Sequence, residues 1–321
     1  MEKNNRFKSW LKAKIPAAKD RAGALLKKTS PTYMILFVFL VVYTVTLLIP
    51  LLWTTLTAFK DPDYYSQSVL AEDASGLINF KNLTLDNFKT AFRSFTVPAT
   101  GKDGKTLNYN ILGLFVNSLL YSVGCAVCAT AVPCVVSYLC ARFKYKFGKV
   151  VYGVVLVAMA LPIVGSLPSE IKMVTSLHMF DTVWGMYILK CNFLGLYFLL
   201  LHAQFKTISM EYTEAARVDG ASELRIMLQV IFPMAVSTIL SVFILNFVSF
   251  WNDYQIPMIY WPSRPVAAYG MWVFNRSTIG FTARTPNKLA GILLMALPIL
   301  IIYAFFNKRL ATNVSVGGIK G

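Results

Sequence analysis

The chain has 321 residues, of which 56% are hydrophobic and 14% charged, and a formal net charge of +16. So few polar residues cannot coat one or two soluble domains of that size, which makes a lipid bilayer the natural surrounding medium. Nucleic-acid binding does not explain the charge, because Lys and Arg are spread over short segments beside apolar runs and no nucleic-acid motif accompanies them.

Residues 1–30 form a basic tail with nine cations: Lys3, Arg6, Lys8, Lys12, Lys14, Lys19, Arg21, Lys27 and Lys28. Phe7, Trp10 and Leu11 can rest on a membrane surface beside them, or the tail is simply disordered. The first apolar run, about 33–56, exceeds a signal-peptide core and lacks a small-residue cleavage site, so it reads as a retained spanning helix. The connection 57–109 balances six basic residues against six acidic ones and contains turn signals at Asp61-Pro62 and 100–104. Within it, the pattern at 83–92 predicts a short amphipathic helix capped by Thr84 or Asp86, serving as a contact surface or as a lid.

A second span is predicted over about 111–140. It carries Cys125, Cys128, Cys134 and Cys140, read as packing residues because a zinc site lacks nearby partners. Asn117 and Ser118 are candidates for a cavity lining or for interhelical hydrogen bonds. Arg142, Lys144, Lys146 and Lys149 follow within a few residues, and this bias, with the basic tail, places both segments in the cytoplasm and 57–109 outside. A third span covers about 150–167, where Pro162 and Pro168 predict a break, Pro168 reading best as a helix end. Glu170, Lys172, His178 and Asp181 form an outer polar connection, and a fourth span covers about 183–202.

The next connection, 203–231, is far longer than two spans need. Glu211 to Val218 reads as a short helix stopped at Asp219-Gly220, and Ser222 as the cap of a second helix. There Leu224, Met227, Leu228 and Ile231 recur at helical spacing as one apolar stripe, and Pro233 marks the bend into the fifth span, about 232–251. Its acids outnumber its bases, which disfavours a hairpin lying on anionic headgroups. Small alanines permit close approach to another protein surface, and the carboxylates offer anchors to basic residues of a partner.

The stretch Glu214-Ala215-Ala216, two intervening residues, Asp219-Gly220-Ala221 and a terminal Pro233 resembles the EAA loop of permease subunits of bacterial ABC importers. ARFKYKFGK, FWNDYQIPMIY and NVSVGGIKG are similar to segments of the sugar-importing branch, in particular the smaller permease subunit of maltose-type systems. The resemblance implies a type I importer permease fold, with this loop seated in a cleft of an ATPase. Glu214 would be the polar anchor and Gly220 would keep the turn. It also implies a second, different permease as heterodimer partner, two copies of an ABC ATPase, and an extracytoplasmic solute-binding protein. ATP and Mg would belong to the ATPase, and this chain would bind no cofactor.

In the fifth span Asn246, Ser249, Phe250 and Asp253 share a helical face, adjoined by Trp251, Asn252 and Tyr254. Aromatic faces combined with amides and carboxylates suit a carbohydrate path, and Asn117 is added to that set. An interfacial aromatic belt is the alternative for Trp251 and Tyr254. A sixth span covers about 289–306, ahead of a cytoplasmic tail, 310–321. No catalytic motif, phosphate loop or metal signature is visible, and no internal repeat.

The expectation is therefore an all-α polytopic protein of a bacterial cell membrane, in contact with lipid. It has one six-helix domain, 31–309, with a cytoplasmic coupling helix-turn-helix between the fourth and fifth helices and both termini inside. The expected function is ATP-driven import of a carbohydrate, an oligosaccharide by preference. Import of a peptide or organic anion, or a receptor or scaffold recruiting a partner other than an ATPase, are the alternatives.

Overall fold

The computed structural model describes residues 31–71, 82–101, 104–143, 145–161, 165–276 and 284–314. The basic tail, Pro162 and the C-terminal NVSVGGIKG motif from residue 315 onward lie outside them.

Helix α1 (Pro31–Ala58) is apolar along its length and exposed over residues 31–53, so only its last turns pack on the rest of the chain. Three of its hydroxyls turn inward: Thr44, Thr46 and Thr55 each donate to a carbonyl three or four residues back. A side chain facing hydrocarbon has no water to bond, so this is how a threonine is tolerated there.

The segment after α1 is more structured than the sequence predicts. Asp61 caps α2 (Pro62–Leu70), accepting from the amides of Asp63 and Tyr64 at 3.0 Å, with Pro62 in the first turn where its missing donor does no harm. The predicted amphipathic helix is α3 (Asp86–Ser94), and the Thr84 hydroxyl accepts from the Asp86 amide at 3.1 Å. Buried Asn87 ties α3 to the end of α1, donating to the carbonyls of Ala58 and Lys60 at 2.9 and 2.7 Å.

The antiparallel hairpin of β1 (Thr96–Thr100) and β2 (Thr106–Asn110), pairing Thr96 with Asn110 and Thr100 with Thr106, departs from the all-α expectation. Pro98 inside β1 argues against a strand, yet an edge position leaves its missing N–H unneeded. Val97 and Ala99 point inward, Val97 in a cluster with Ile111, Leu114, Ala267 and Phe274.

Helix α4 (Ile111–Arg142), capped by the Asn110 side chain at 2.9 Å from the Gly113 amide, is the central post. It packs against α8 (Leu196–Thr207) and α11 (Val236–Asn252).

The third and fourth predicted spans are broken. Helix α5 (Lys146–Ala160) ends before Pro162, Gly165 has φ +83°, and α6 (Leu167–Ser176) starts afresh. Pro168 opens α6 in its first turn instead of ending the preceding helix, the position where proline's fixed φ is preorganised. The fourth span is split into α7 (Val183–Leu189) and α8 by an irregular stretch containing Lys190 and Gly195. Asn192 takes up the freed Leu194 amide at 2.8 Å.

The surface hairpin comprises α9 (Glu211–Val218) and α10 (Glu223–Met234), the latter with a π turn over Met227–Ile231. Helix α11 leaves α10 at 79°. It is followed by α12 (Gln255–Tyr260), α13 (Ala267–Arg276) and α14 (Thr285–Val314). Among the described residues, α1 and α4 are each long and apolar enough to cross a membrane unbroken, and α10 with α11 adds a third if the bent pair is one span.

Where α4 passes α7, Gly124 lies under the Tyr187 ring, whose hydroxyl donates to the Leu120 carbonyl at 2.8 Å, and a Cβ at Gly124 would collide with that ring. Gly124→Val is expected to lower the melting temperature of the purified protein through about 1–3 kcal/mol of overpacking. An unchanged melt in detergent would show that Tyr187 moves aside freely.

Candidate functional site

Gly220 has φ +78°, the left-handed conformation that glycine adopts without strain, and it turns the chain between α9 and α10. The Ala221 amide reaches back to the Ala216 carbonyl at 3.0 Å, closing the end of α9. The Ser222 hydroxyl accepts from the Arg225 amide, and Arg217 Nε meets Glu223 Oε1 at 2.6 Å across the turn. Both partners of that ion pair are solvated, so water and salt screen it and it adds little to stability.

The hairpin is seated on the chain itself. Ile226, Met227 and Ile231 are buried among Tyr138, Leu201, Phe205 and Val242, with Ala216, Ala221 and Phe232 at the rim. The Tyr138 ring sits edge-on to Phe143, Phe205 and Phe232. The predicted stripe is divided: Met227 and Ile231 point in, whereas Leu224 and Leu228 are exposed. A π turn carries more residues per turn than an α-helix, so strict α spacing fails to keep one face through Met227–Ile231. The alanines divide as well, with Ala216 and Ala221 packing inward and Ala215 exposed.

Arg142, read from the sequence only as part of a charge bias, is 5% exposed at the foot of α4. Its Nη1 donates to the Ile208 carbonyl at 2.6 Å, and its Nη2 to the Ser209 carbonyl at 3.0 Å and to Thr213 Oγ1 at 2.8 Å. A guanidinium presents a rigid fork of donors, so it fixes both the approach to α9 and its first turn. The signal in the sequence was the first cation of a basic cluster, set directly at the end of a long apolar helix.

What the hairpin leaves outward is Glu211, Tyr212, Glu214, Ala215, Asp219 and Val218, the last 88% exposed. The Glu214 carboxylate accepts no hydrogen bond among the described residues. Pro233 is also exposed, in the single α turn Phe232–Met234 that follows the π turn, just before the bend into α11.

The residues singled out near the end of α11 separate into two groups. Asn246, Trp251 and Asn117 are buried within the chain. Asn246 donates to Thr130 Oγ1 at 3.1 Å and to the Ala129 carbonyl at 3.4 Å, Asn117 to the Pro265 carbonyl at 2.9 Å, and Trp251 packs with Phe115 and Phe247. Beside Asn117, the Ser118 hydroxyl accepts from the Ala267 amide at 2.7 Å.

Ser249 and Asn252 are exposed, and Phe250 and Tyr254 half-buried. Helix α11 ends at Asn252, so Asp253 leaves the helical face: it accepts from the amides of Gln255 and Ile256 and from Tyr121 Oη at 2.8 Å. Lys190 Nζ stands 5.5 Å from the Phe250 ring centroid, a cation beside an aromatic in the break between α7 and α8. Sequence reading passed over Lys190, although a lysine in the middle of an apolar stretch was the available sign.

A family profile described as the binding-protein-dependent transport system inner membrane component matches residues 134–316. The chain belongs to this family. Among its relatives, the diacetylchitobiose uptake system permease protein NgcG of Streptomyces coelicolor is 23% identical over 282 residues, covering 87% of this chain and 86% of the relative. The melibiose/raffinose/stachyose import permease protein MelC of Bacillus subtilis is 26% identical over 210 residues, 64% of this chain and 75% of the relative. In fold, the chain is similar to a chain in the crystal structure of a bacterial ABC transporter that imports alginate. That match has a TM-score of 0.69 at 18% identity, over 87% of this chain and 98% of the other.

Membership makes the protein a membrane component of an ABC importer, a permease that works beside a partner permease, an ATPase and a binding protein.

Proposed function

We propose that this permease imports an oligosaccharide and is driven through the α9–α10 hairpin. The carrying observation is that the hairpin turns Glu211, Glu214 and Asp219 and the exposed Tyr212 and Val218 outward while Arg142 and a buried aromatic cluster clamp it to α4 and α8. A partner ATPase that grips Glu214 and the turn at Gly220 would move α4 directly, and α11 through the 79° bend beyond Pro233. ATP and Mg belong to that ATPase, and this chain holds neither.

In this reading the broken pairs α5–α6 and α7–α8 are each one interrupted span. With α1, α4, α11 and α14 they make six, and both ends lie in the cytoplasm by the distribution of Lys and Arg. The assembly contains a second, different permease, two ATPase copies and an extracytoplasmic binding protein. The substrate class is supported by relatives named for diacetylchitobiose and for melibiose, raffinose and stachyose. Ser249, Phe250, Asn252, Asp253 and Tyr254, joined by Lys190, are the residues offered to the path. They combine aromatic faces with hydroxyl-directed donors and acceptors.

The Glu214→Lys variant in the assembled transporter is expected to lower ATPase recovery on co-purification and sugar uptake by at least tenfold, since the charge at the anchor is reversed. Unchanged assembly and uptake would remove the coupling role. Failure of the cognate binding protein to bind oligosaccharides in calorimetry would remove the cargo while leaving the coupling intact.

A further inference from the structure

At the foot of α4, α5 and α8 lies a cavity of about 560 Å³, apart from the outward face of the α9–α10 hairpin. Lys146, Lys149 and Lys206 line it, and among the described residues no carboxylate does. His202, 6% exposed, also lines it, tilted against the Tyr152 ring at 4.8 Å and stacked on Phe198, and its imidazole has no hydrogen-bond partner among the described residues. A ligand in this cavity can supply the hydrogen bond that no described residue gives His202.

The helix bordering the cavity points the same way. Helix α5 begins at Lys146 with no side-chain cap, and Lys146 and Lys149 stand in its first turn, where the helix dipole disfavours cations. An anion seated there would accept from the free amides and neutralise the lysines together.

A second cavity of about 250 Å³ adjoins the first, sharing Cys140, Phe143, Tyr145 and Gly148. It continues into apolar walls at Val136, Leu139 and Val151. A charged seat opening into an apolar slot fits a molecule with a phosphate at one end and hydrocarbon at the other.

We propose that this paired cavity is a binding site for one anionic phospholipid, its phosphodiester between Lys146, Lys149, Lys206 and His202 and one acyl chain in the slot. The site requires only that the chain sits in a bilayer, and is independent of the coupling role of α9.

The test uses the full-length chain purified in mild detergent with the subunits that accompany it, delipidated, then titrated under native mass spectrometry. The probes are phosphatidylglycerol, phosphatidylcholine with the same tails, and inorganic phosphate. One phosphatidylglycerol per chain is expected, bound at least tenfold tighter than phosphatidylcholine, with binding weakened by salt. Replacing Lys146, Lys149 and Lys206 together with glutamine is expected to reduce phosphatidylglycerol affinity about a hundredfold. Lys149→Gln alone, at an exposed position, is expected to lose about fivefold without disturbing the fold. Val151→Trp, which fills the slot, should weaken phosphatidylglycerol as well.

Equal affinity for the two lipids, or no loss in Lys149→Gln, overturns the site. Millimolar inorganic phosphate displacing the lipid while Val151→Trp has no effect assigns the cavity to a free anion and overturns the lipid.

Discussion

Replacing Arg142 with methionine is expected to lower sugar uptake by the assembled importer at least tenfold while ATP hydrolysis persists. Methionine matches the stem of arginine but supplies no donors, so the Ile208 and Ser209 carbonyls and the Thr213 hydroxyl lose three bonds to one charged group. Bonds to a charged partner contribute about 1.5–3 kcal/mol each; Ile208 and Thr213 are buried, so water replaces their bonds poorly, whereas at exposed Ser209 it can. The buried apolar cluster still holds α10, so the expected result is a loosened α9 in place of an unfolded protein. Faster hydrogen exchange confined to about 208–220 would show this directly. Arg142→Lys should recover part of the loss, because it restores the charge but not the fork. Uptake unchanged in Arg142→Met would mean that the aromatic cluster alone carries motion from the hairpin into α4.

The second large effect is expected at Asn246. Its amide donates to Thr130 Oγ1 and to the Ala129 carbonyl between α11 and α4. Asn246→Asp preserves the shape, removes the donor, and sets a carboxylate against acceptors inside a membrane helix pair. Insertion scales put a charge near the bilayer centre at about 2.5–3.5 kcal/mol, so a marked fall in melting temperature and in membrane-inserted protein is expected. Asn246→Leu, which removes the polar group altogether, should lose only about 0.6–1.7 kcal/mol, the range of interhelical hydrogen bonds in membranes. If Asn246→Leu retains its fold but raises the apparent KM for uptake severalfold, Asn246 touches substrate and its role is not confined to packing.

The two predictions concern residues of opposite legibility. Asn246 stands out in the sequence because an amide in an apolar run needs partners, although the partner, Thr130, could not be named from spacing. Arg142 did not stand out, because an arginine after an apolar helix is accounted for by the charge bias of membrane loops. Its burial depends on α8 and α9 folding back against the foot of α4. The same distinction separates the helices. Runs of apolar residues without charge suffice for α1 and α4, whereas Lys190 and the proline-flanked stretch at 161–168 interrupt runs that hydropathy joins.

The amino-acid sequence by itself determined the membrane setting, the long spans, and the hairpin with its turn at Gly220 and cap at Ser222. These follow from composition, helical period and backbone chemistry within a few residues of one another. Tertiary structure alone decided which face of the hairpin is free. With the π turn over Met227–Ile231, Met227 and Ile231 face the core while Leu224 and Leu228 are exposed, and the Tyr138 cluster draws Ala216 and Ala221 inward. It also decided that Trp251 is buried beside Phe115 and Asn117 against the Pro265 carbonyl while Lys190 stands beside Phe250, and that the β1–β2 hairpin forms around Pro98. Each of these depends on contacts between segments far apart in the chain, where the energy of burial outweighs the local preference of the residues involved.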